Sequence, residues 1–114
     1  MHEVSLAQGI LDVVRRHAEA SGSQGSIRRI KLRIGAYTQV DVQALLTAFQ
    51  AVAAQTPAAN AELLVERVPV RLYCRECGRE TEIQGRGLMC AHCSSLAVDM
   101  LSGREMQVEY LEVD

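Results

Sequence analysis

The stretch from Cys74 to Cys93, CRECGRETEIQGRGLMCAHC, contains all four cysteines of the 114-residue chain in two Cys-x-x-Cys pairs. Two residues between paired cysteines allow one tight turn to present both sulfur atoms to a common point. Gly78 follows the first pair and supplies the backbone freedom that such a turn often needs. This pattern is typical of a tetrahedral zinc site with Cys74, Cys77, Cys90 and Cys93 as ligands.

Two other interpretations of the cysteine pairs compete with zinc. Redox dithiols of the thioredoxin type need a pair that ends a strand and opens a helix, and neither pair has that context. Iron can occupy the same four ligands, as in a rubredoxin. Coordination by four cysteines leaves no position for water, so the site is predicted to be structural rather than catalytic. His92, inside the second pair, is expected to be an exposed spacer.

Positive charge near the pairs is expected to offset part of the double negative charge of a four-thiolate zinc site. The arginines concerned are Arg75, Arg79 and Arg86.

The residues before and after the cysteine stretch predict strands. Apolar and basic residues alternate between Arg29 and Ile34, which is typical of a strand with one buried face. Two further strands are predicted over residues 63–68 and 106–110. Acidic side chains are expected to lie beside the basic ones and to favour strand pairing; they are Glu62, Glu66, Glu105 and Glu109.

Apolar residues at helical spacing predict two helices, over residues 4–20 and 42–53. Asp41 stands where the N-cap of the second helix belongs. The predicted fold is therefore α/β (α+β), with two helices packed on a three-stranded sheet. Because the cysteine stretch lies between the second and third strands, it is predicted to be an insert. Residues 1–69 and 104–114 form the α/β domain, and residues 70–103 form a zinc-ribbon-like domain.

Composition argues against several functions. The formal net charge is −2 and tryptophan is absent, so the chain lacks the basic or aromatic surface that nucleic-acid binding needs. The first residues do not resemble a signal peptide, which predicts a cytoplasmic protein with reduced thiols. We find neither a nucleophile–base pair nor a phosphate-binding loop in the sequence, so the protein is not expected to be an enzyme.

The sequence begins Met1-His2-Glu3. A free α-amine, the next amide nitrogen and the imidazole of His2 can close two fused chelate rings around one metal ion, and Glu3 can add an oxygen or a further amide nitrogen. Nitrogen-rich, nearly planar ligation suits nickel(II) or copper(II) better than zinc. Taken alone, a histidine in second position is more often a surface residue without a metal.

Taken together, these features resemble the HypA/HybF family of hydrogenase maturation nickel chaperones. The resemblance runs over essentially the whole chain and is carried by the Met-His-Glu start combined with the two cysteine pairs. Weaker support comes from Ser5-Leu6, Ile34-Gly35 and Val40-Asp41. In the second pair the chain has Ala91, where many members of the family have proline, and this difference removes no ligand.

The resemblance implies a metallochaperone that binds Ni(II) as a transient cargo and delivers it to the immature large subunit of [NiFe]-hydrogenase. It implies a GTPase partner of the HypB type, and urease accessory proteins as further partners in some bacteria. His2 and Glu3 correspond to the nickel site of the family. Asp41 corresponds to a nearby carboxylate, which is a nickel ligand or, as a helix N-cap, a group that orients one.

The four cysteines correspond to the structural zinc ligands of the family. Two other functions are consistent with the cysteine pairs alone. One is a zinc-ribbon module that binds nucleic acid or protein, and the other is a rubredoxin-like electron carrier.

Overall fold

The computed structural model describes residues 2–23, 25–85 and 87–114. Over these residues the chain forms two helices and two three-stranded sheets, which confirms the predicted α+β class. The elements are α1 (Glu3–Ala20), β1 (Ile27–Gly35), a 3-10 turn (Ala36–Thr38), α2 (Val42–Ala53), β2 (Glu62–Val68), β3 (Val70–Cys74), β4 (Glu80–Ile83), β5 (Val98–Ser102) and β6 (Met106–Val113).

The chain divides into two compact units. The helical unit consists of Met1–Leu32, Val40–Glu66 and Gln107–Asp114, and the cysteine unit consists of Arg33–Gln39 and Arg67–Met106. Arg33–Gln39 had been grouped with the α/β domain from the sequence. The assignment of nickel binding to one unit and zinc binding to the other stays a prediction.

The two helices of the helical unit pack against each other. Each buries one apolar face, because its apolar residues recur every three or four positions. The buried residues are Ala7, Ile10, Leu11, Val14 and Ala18 on α1, and Leu45, Ala48, Phe49 and Ala53 on α2. Asp41 caps α2 as predicted, since its carboxylate accepts a hydrogen bond from the backbone N–H of Ala44 at 3.1 Å.

The first sheet has the strand order β2-β1-β6. On β1, Ile30 and Leu32 are buried, whereas the alternating basic residues Arg29 and Lys31 are half-buried and ion-paired. The predicted pairing of acidic and basic side chains holds for three ion pairs: Arg29 with Glu62 (3.0 Å), and Lys31 with Glu66 (3.7 Å) and Glu109 (3.5 Å). Arg29 also pairs with Glu112 (2.6 Å), which was not among the predicted partners.

The second sheet belongs to the cysteine unit and has the order β4-β3-β5. Its central strand β3 is antiparallel to both neighbours, with Leu72 opposite Thr81 on β4 and opposite Met100 on β5. Val70, Leu72 and Cys74 are buried, so alternate residues of β3 face the core of this unit. Cys74 is the last residue of β3, and the sheet therefore sets the position of the first cysteine.

Arg33–Gln39 joins the cysteine unit through backbone hydrogen bonds. Gly35 N–H donates to the carbonyl of Glu105 (2.8 Å), and Tyr37 N–H donates to the carbonyl of Gly103 (2.9 Å). The two backbones approach so closely that a Cβ atom on Gly35 would lie 1.9 Å from the carbonyl oxygen of Gly103. The last position of β1 therefore requires a glycine.

Among the described residues, neither helix has both the length and the apolar composition needed to cross a membrane.

Candidate metal centre

Two turns of similar construction present the four cysteines. In the first cysteine turn, residues 74–77, the N–H of Gly78 donates to the carbonyl of Cys74 at 2.9 Å. In the second, residues 90–93, the N–H of Ser94 donates to the carbonyl of Cys90 at 3.0 Å. The residue after each turn has a positive φ, 75° at Gly78 and 65° at Ser94. The predicted role of Gly78 is confirmed, and serine takes the equivalent position in the second turn.

The four sulfur atoms lie within 4.8 Å of one another. The Sγ atoms of Cys74 and Cys93 are 3.6 Å apart, and those of Cys77 and Cys90 are 3.7 Å apart. A zinc ion with Zn–S bonds of about 2.3 Å at the centre of a tetrahedron separates its ligands by about 3.8 Å. The donor set therefore fits a tetrahedral metal ion with four thiolate ligands.

Backbone N–H groups stabilise negative charge on the first sulfur of each turn. Cys77 N–H lies 3.4 Å from the Sγ of Cys74, and the N–H groups of Cys93 and His92 lie 3.5 Å and 3.4 Å from the Sγ of Cys90. The Cys77 N–H is the main cause that lowers the pKa of Cys74 below its ordinary value. The Cys93 N–H, followed by that of His92, lowers the pKa of Cys90 to about 6.

The second sulfur of each turn shows the opposite shift. The backbone of Arg79 acts to lower the pKa of Cys77, but burial and hydrogen bonds with Cys90 and Cys74 outweigh it and raise the pKa. The backbone of Ser95 acts to lower the pKa of Cys93, but the neighbouring thiols and burial raise it to about 12. Without a metal, the cluster therefore mixes thiolates with thiols, since four adjacent negative charges repel one another.

The side chains around the cluster complete the charge arrangement. Arg75 is ion-paired with Asp99 on β5, so part of its charge is already neutralised. The guanidinium of Arg79 lies 3.1 Å from Nδ1 of His92. His92 is exposed and does not belong to the group of potential ligands formed by the cysteines. Arg86, also expected to offset the thiolate charge, lies outside the described residues.

Two hydrogen bonds that support the second cysteine turn were not predicted from the sequence. The carbonyl of Ser95 accepts a hydrogen bond from the N–H of Cys90 at 2.9 Å, and its hydroxyl accepts one from the N–H of Ala97 at 2.9 Å. The ion pair of Asp99 with Arg75, in the first cysteine turn, was also not predicted. A serine after Cys-x-x-Cys is a weak signal, because serine is common in any turn.

The three residues predicted to bind nickel lie in the helical unit. Glu3 opens α1, and its carboxylate Oε2 lies 3.4 Å from the backbone N of Asp41, which donates to it. His2 is exposed and immediately precedes α1, and its imidazole makes no capping hydrogen bond. Over residues 2–23, 25–85 and 87–114, only the four cysteines bring three or more potential ligands within coordination distance of one another. Met1 lies outside the described residues.

Comparison with known proteins identifies the family. A family model described as "Hydrogenase/urease nickel incorporation, metallochaperone, hypA" matches residues 1–113. The hydrogenase maturation factor HypA of Chloroflexus aggregans is 37% identical over 113 residues, covering 98% of this chain and 98% of the relative. HypA of Desulfosudis oleivorans is 34% identical, covering 99% of this chain and 98% of the relative.

Solved structures agree with this result. The solution structure of the Ni metallochaperone HypA from Helicobacter pylori superimposes with a TM-score of 0.70 at 25% identity, covering 99% of this chain and 97% of that one. A second solution structure of a HypA protein gives a TM-score of 0.72 at 24% identity. Because the family model and the relatives match nearly the whole chain, this protein belongs to the HypA family of nickel metallochaperones for hydrogenase maturation, which are not enzymes.

Proposed function

We propose that this protein binds Ni(II) at its N-terminal end through His2, Glu3 and the neighbouring Asp41, and delivers it to the immature large subunit of [NiFe]-hydrogenase. The four cysteines hold a zinc ion that stays with the protein. Family membership favours this function over a nucleic-acid-binding zinc ribbon or a rubredoxin-like electron carrier.

The contact between Glu3 and Asp41 is the observation that carries the nickel proposal. Asp41 N–H donates to the Glu3 carboxylate, so the starts of α1 and α2 lie side by side in the helical unit. Carboxylates at helix starts are stabilised by the partial positive charge of the helix dipole. His2 adjoins this pair, is exposed, and is not used as a side-chain cap. An imidazole and two carboxylates therefore lie at the neighbouring starts of α1 and α2, and their side chains must move to reach one cation together.

Exposure at this site suits reversible binding. His2 and Asp41 are exposed and Glu3 is half-buried, so an acceptor protein can approach the ion without unfolding the chaperone. The cysteine cluster has the opposite character, because Cys74 and Cys90 are buried and all four ligands are already assembled. A nearly closed four-thiolate site suits a permanent zinc ion.

The same proposal covers partners and location. We infer that a GTPase of the HypB type and the large subunit of [NiFe]-hydrogenase are its partners, and that the protein acts in the cytoplasm. The family description also mentions urease, so urease accessory proteins are proposed as further partners.

The test is a nickel titration by calorimetry on protein whose zinc content has been counted first. We expect His2→Ala to lose specific nickel binding, since the removed imidazole is a principal donor, while zinc content and fold are unchanged. The matched control is His17→Ala, because His17 is an exposed histidine near the other end of the same helix.

Equal nickel affinity of His2→Ala and wild type would contradict the proposed site. Loss of nickel binding in His17→Ala as well would show that the histidines act non-specifically.

A further inference from the structure

Two sulfur–sulfur distances of the cysteine cluster each join one cysteine turn to the other. Cys74 is paired with Cys93 at 3.6 Å, and Cys77 with Cys90 at 3.7 Å. Each pair also joins a buried cysteine to an exposed one: Cys74 and Cys90 are buried, whereas Cys77 and Cys93 are exposed. A solvent-borne oxidant therefore reaches one sulfur of each pair first and finds the second sulfur within van der Waals distance.

We propose that the cluster is a site of oxidative modification, in which hydrogen peroxide forms the disulfides Cys74–Cys93 and Cys77–Cys90 and releases the metal. The inference rests on the proposed zinc occupancy only for the metal-release step, and it is independent of the nickel proposal.

The chemistry balances with hydrogen peroxide as the oxidant. The exposed thiolate of Cys93 attacks one peroxide oxygen, the O–O bond breaks, and a sulfenic acid and hydroxide form. The thiolate of Cys74 then attacks the sulfenic sulfur, the S–S bond forms, and a second hydroxide leaves. Cys77 and Cys90 react in the same way, so each disulfide consumes one peroxide molecule. The metal ion loses its four thiolate ligands and passes to solvent.

The position of the buried partner explains why disulfides form rather than higher oxidation states. A sulfenic acid without a nearby thiolate is oxidised further to a sulfinic acid. Here Cys74 and Cys90 are the residues that resolve it, and burial protects both from direct attack. The two new bonds join the same two turns that the metal joins, so the cross-link between them is kept when the ion is lost.

Trypsin distinguishes the possible pairings because arginines separate the cysteines. Cleavage places Cys74 in the peptide 72–75, Cys77 in the peptide 76–79, and both Cys90 and Cys93 in the peptide 87–104. The experiment treats zinc-loaded wild-type protein, whose metal content has been measured, with hydrogen peroxide, blocks free thiols at acidic pH, and then maps the peptides by mass spectrometry. We expect loss of the metal together with one assembly that contains all three peptides.

Two variants assign the connectivity. In Cys93→Ser, Cys77–Cys90 is the one proposed disulfide that remains, so peptide 76–79 should be linked to 87–104 and peptide 72–75 should be free. In Cys90→Ser, Cys74–Cys93 is the one proposed disulfide that remains. Peptide 72–75 should then be linked to 87–104, and peptide 76–79 should be free.

Three results would overturn the proposal. The first is a disulfide between 72–75 and 76–79 with an internal one in 87–104, which means pairing within each turn. The second is the opposite linkage in the two variants, with peptide 72–75 linked to 87–104 in Cys93→Ser and peptide 76–79 linked to 87–104 in Cys90→Ser. The third is peroxide treatment that leaves the metal bound or yields mainly sulfinic acids. Protein that holds no zinc before treatment but still forms the predicted disulfides would contradict the zinc assignment and leave the modification site intact.

Discussion

At the scale of single residues, the four cysteines differ from one another although their spacing in the sequence is symmetrical. Backbone N–H groups lower the pKa of Cys74 and Cys90, whereas the neighbouring thiols raise the pKa of Cys77 and Cys93. Such differences arise from the fold of the turns, and the Cys-x-x-Cys pattern alone does not reveal them.

This difference predicts the proton balance of metal binding. In the metal-free protein at neutral pH, two cysteines keep their protons: Cys93, whose pKa is about 12, and Cys77, whose pKa is raised. Cys90 has a pKa of about 6 and is largely ionised. A metal ion needs all four as thiolates, so binding should release protons and weaken as pH falls. Below pH about 6 Cys90 also carries a proton, and more protons should be released.

Zinc titration of the metal-free protein in two buffers of different ionisation enthalpy measures this release. Equal binding heats in both buffers, at neutral and at acidic pH, would contradict the prediction.

The assignment of the cysteines as zinc ligands can be tested with one cysteine variant and one histidine control. We expect Cys74→Ser to lose the zinc ion and to make the cysteine unit sensitive to proteases, because structural zinc binding and local folding are coupled. His92→Ala is the matched control in the second turn, and it should retain zinc because His92 is not one of the grouped ligands. Elemental analysis and limited proteolysis measure the two effects; zinc retained in Cys74→Ser would contradict the assignment.

At the scale of helices and strands, local patterns predicted most of the fold. Helix α2 and its cap at Asp41 follow from an apolar stripe and one carboxylate, and β1 follows from strict alternation. Strand β4 was not predicted, because Glu80–Ile83 has four residues and little apolar content. Its formation depends on pairing with β3, which is not visible in a local pattern.

Because Gly35 lies so close to Gly103, one methyl group added at position 35 should strongly destabilise the protein. A Cβ at Gly35 would overlap the carbonyl of Gly103, which is backbone and has little room to move, so Gly35→Ala should lower the free energy of unfolding by about 2–3 kcal/mol or more. The matched control is Gly9→Ala in α1, where a Cβ meets no atom within 4 Å. That variant should gain about 0.5–1 kcal/mol from helix propensity.

Urea unfolding of the two glycine variants provides the measurement. A Gly35→Ala protein as stable as wild type would contradict the contact.

Two exposed apolar residues allow the partner surface to be tested. The first helix, with the sheet edge near it, is predicted to bind the GTPase partner, because it begins at the proposed nickel ligands. Val4 on α1 is 65% exposed, and Leu96 after the second cysteine turn is 78% exposed. We expect Val4→Asp to weaken binding of the GTPase about tenfold or more, since burial of a charge in an apolar interface is costly. Leu96→Asp should leave the affinity unchanged.

Calorimetric titration of each variant with the purified GTPase distinguishes the two surfaces. The opposite pattern, with loss only in Leu96→Asp, would move the binding site to the cysteine unit.

At the scale of the whole molecule, the sequence predicted an insert, and the structure has two compact units whose segments alternate along the chain. Arg33–Gln39 belongs to the cysteine unit because of backbone hydrogen bonds to Gly103 and Glu105, which lie far away in sequence. No local sequence pattern in Arg33–Gln39 predicts those hydrogen bonds. For the candidate sites, the cysteines were recognisable from spacing alone, whereas the contact between Glu3 and Asp41 needed the fold.

The position of β6 at the edge of the first sheet has a consequence for biosynthesis. A ribosome makes the chain in order, so Cys93 leaves the exit tunnel before Met106–Val113 does. The strand order β2-β1-β6 means that β1 has only β2 beside it until β6 has been synthesised. Both cysteine turns are therefore synthesised before the strand that completes the first sheet, and that sheet can close only once β6 is available.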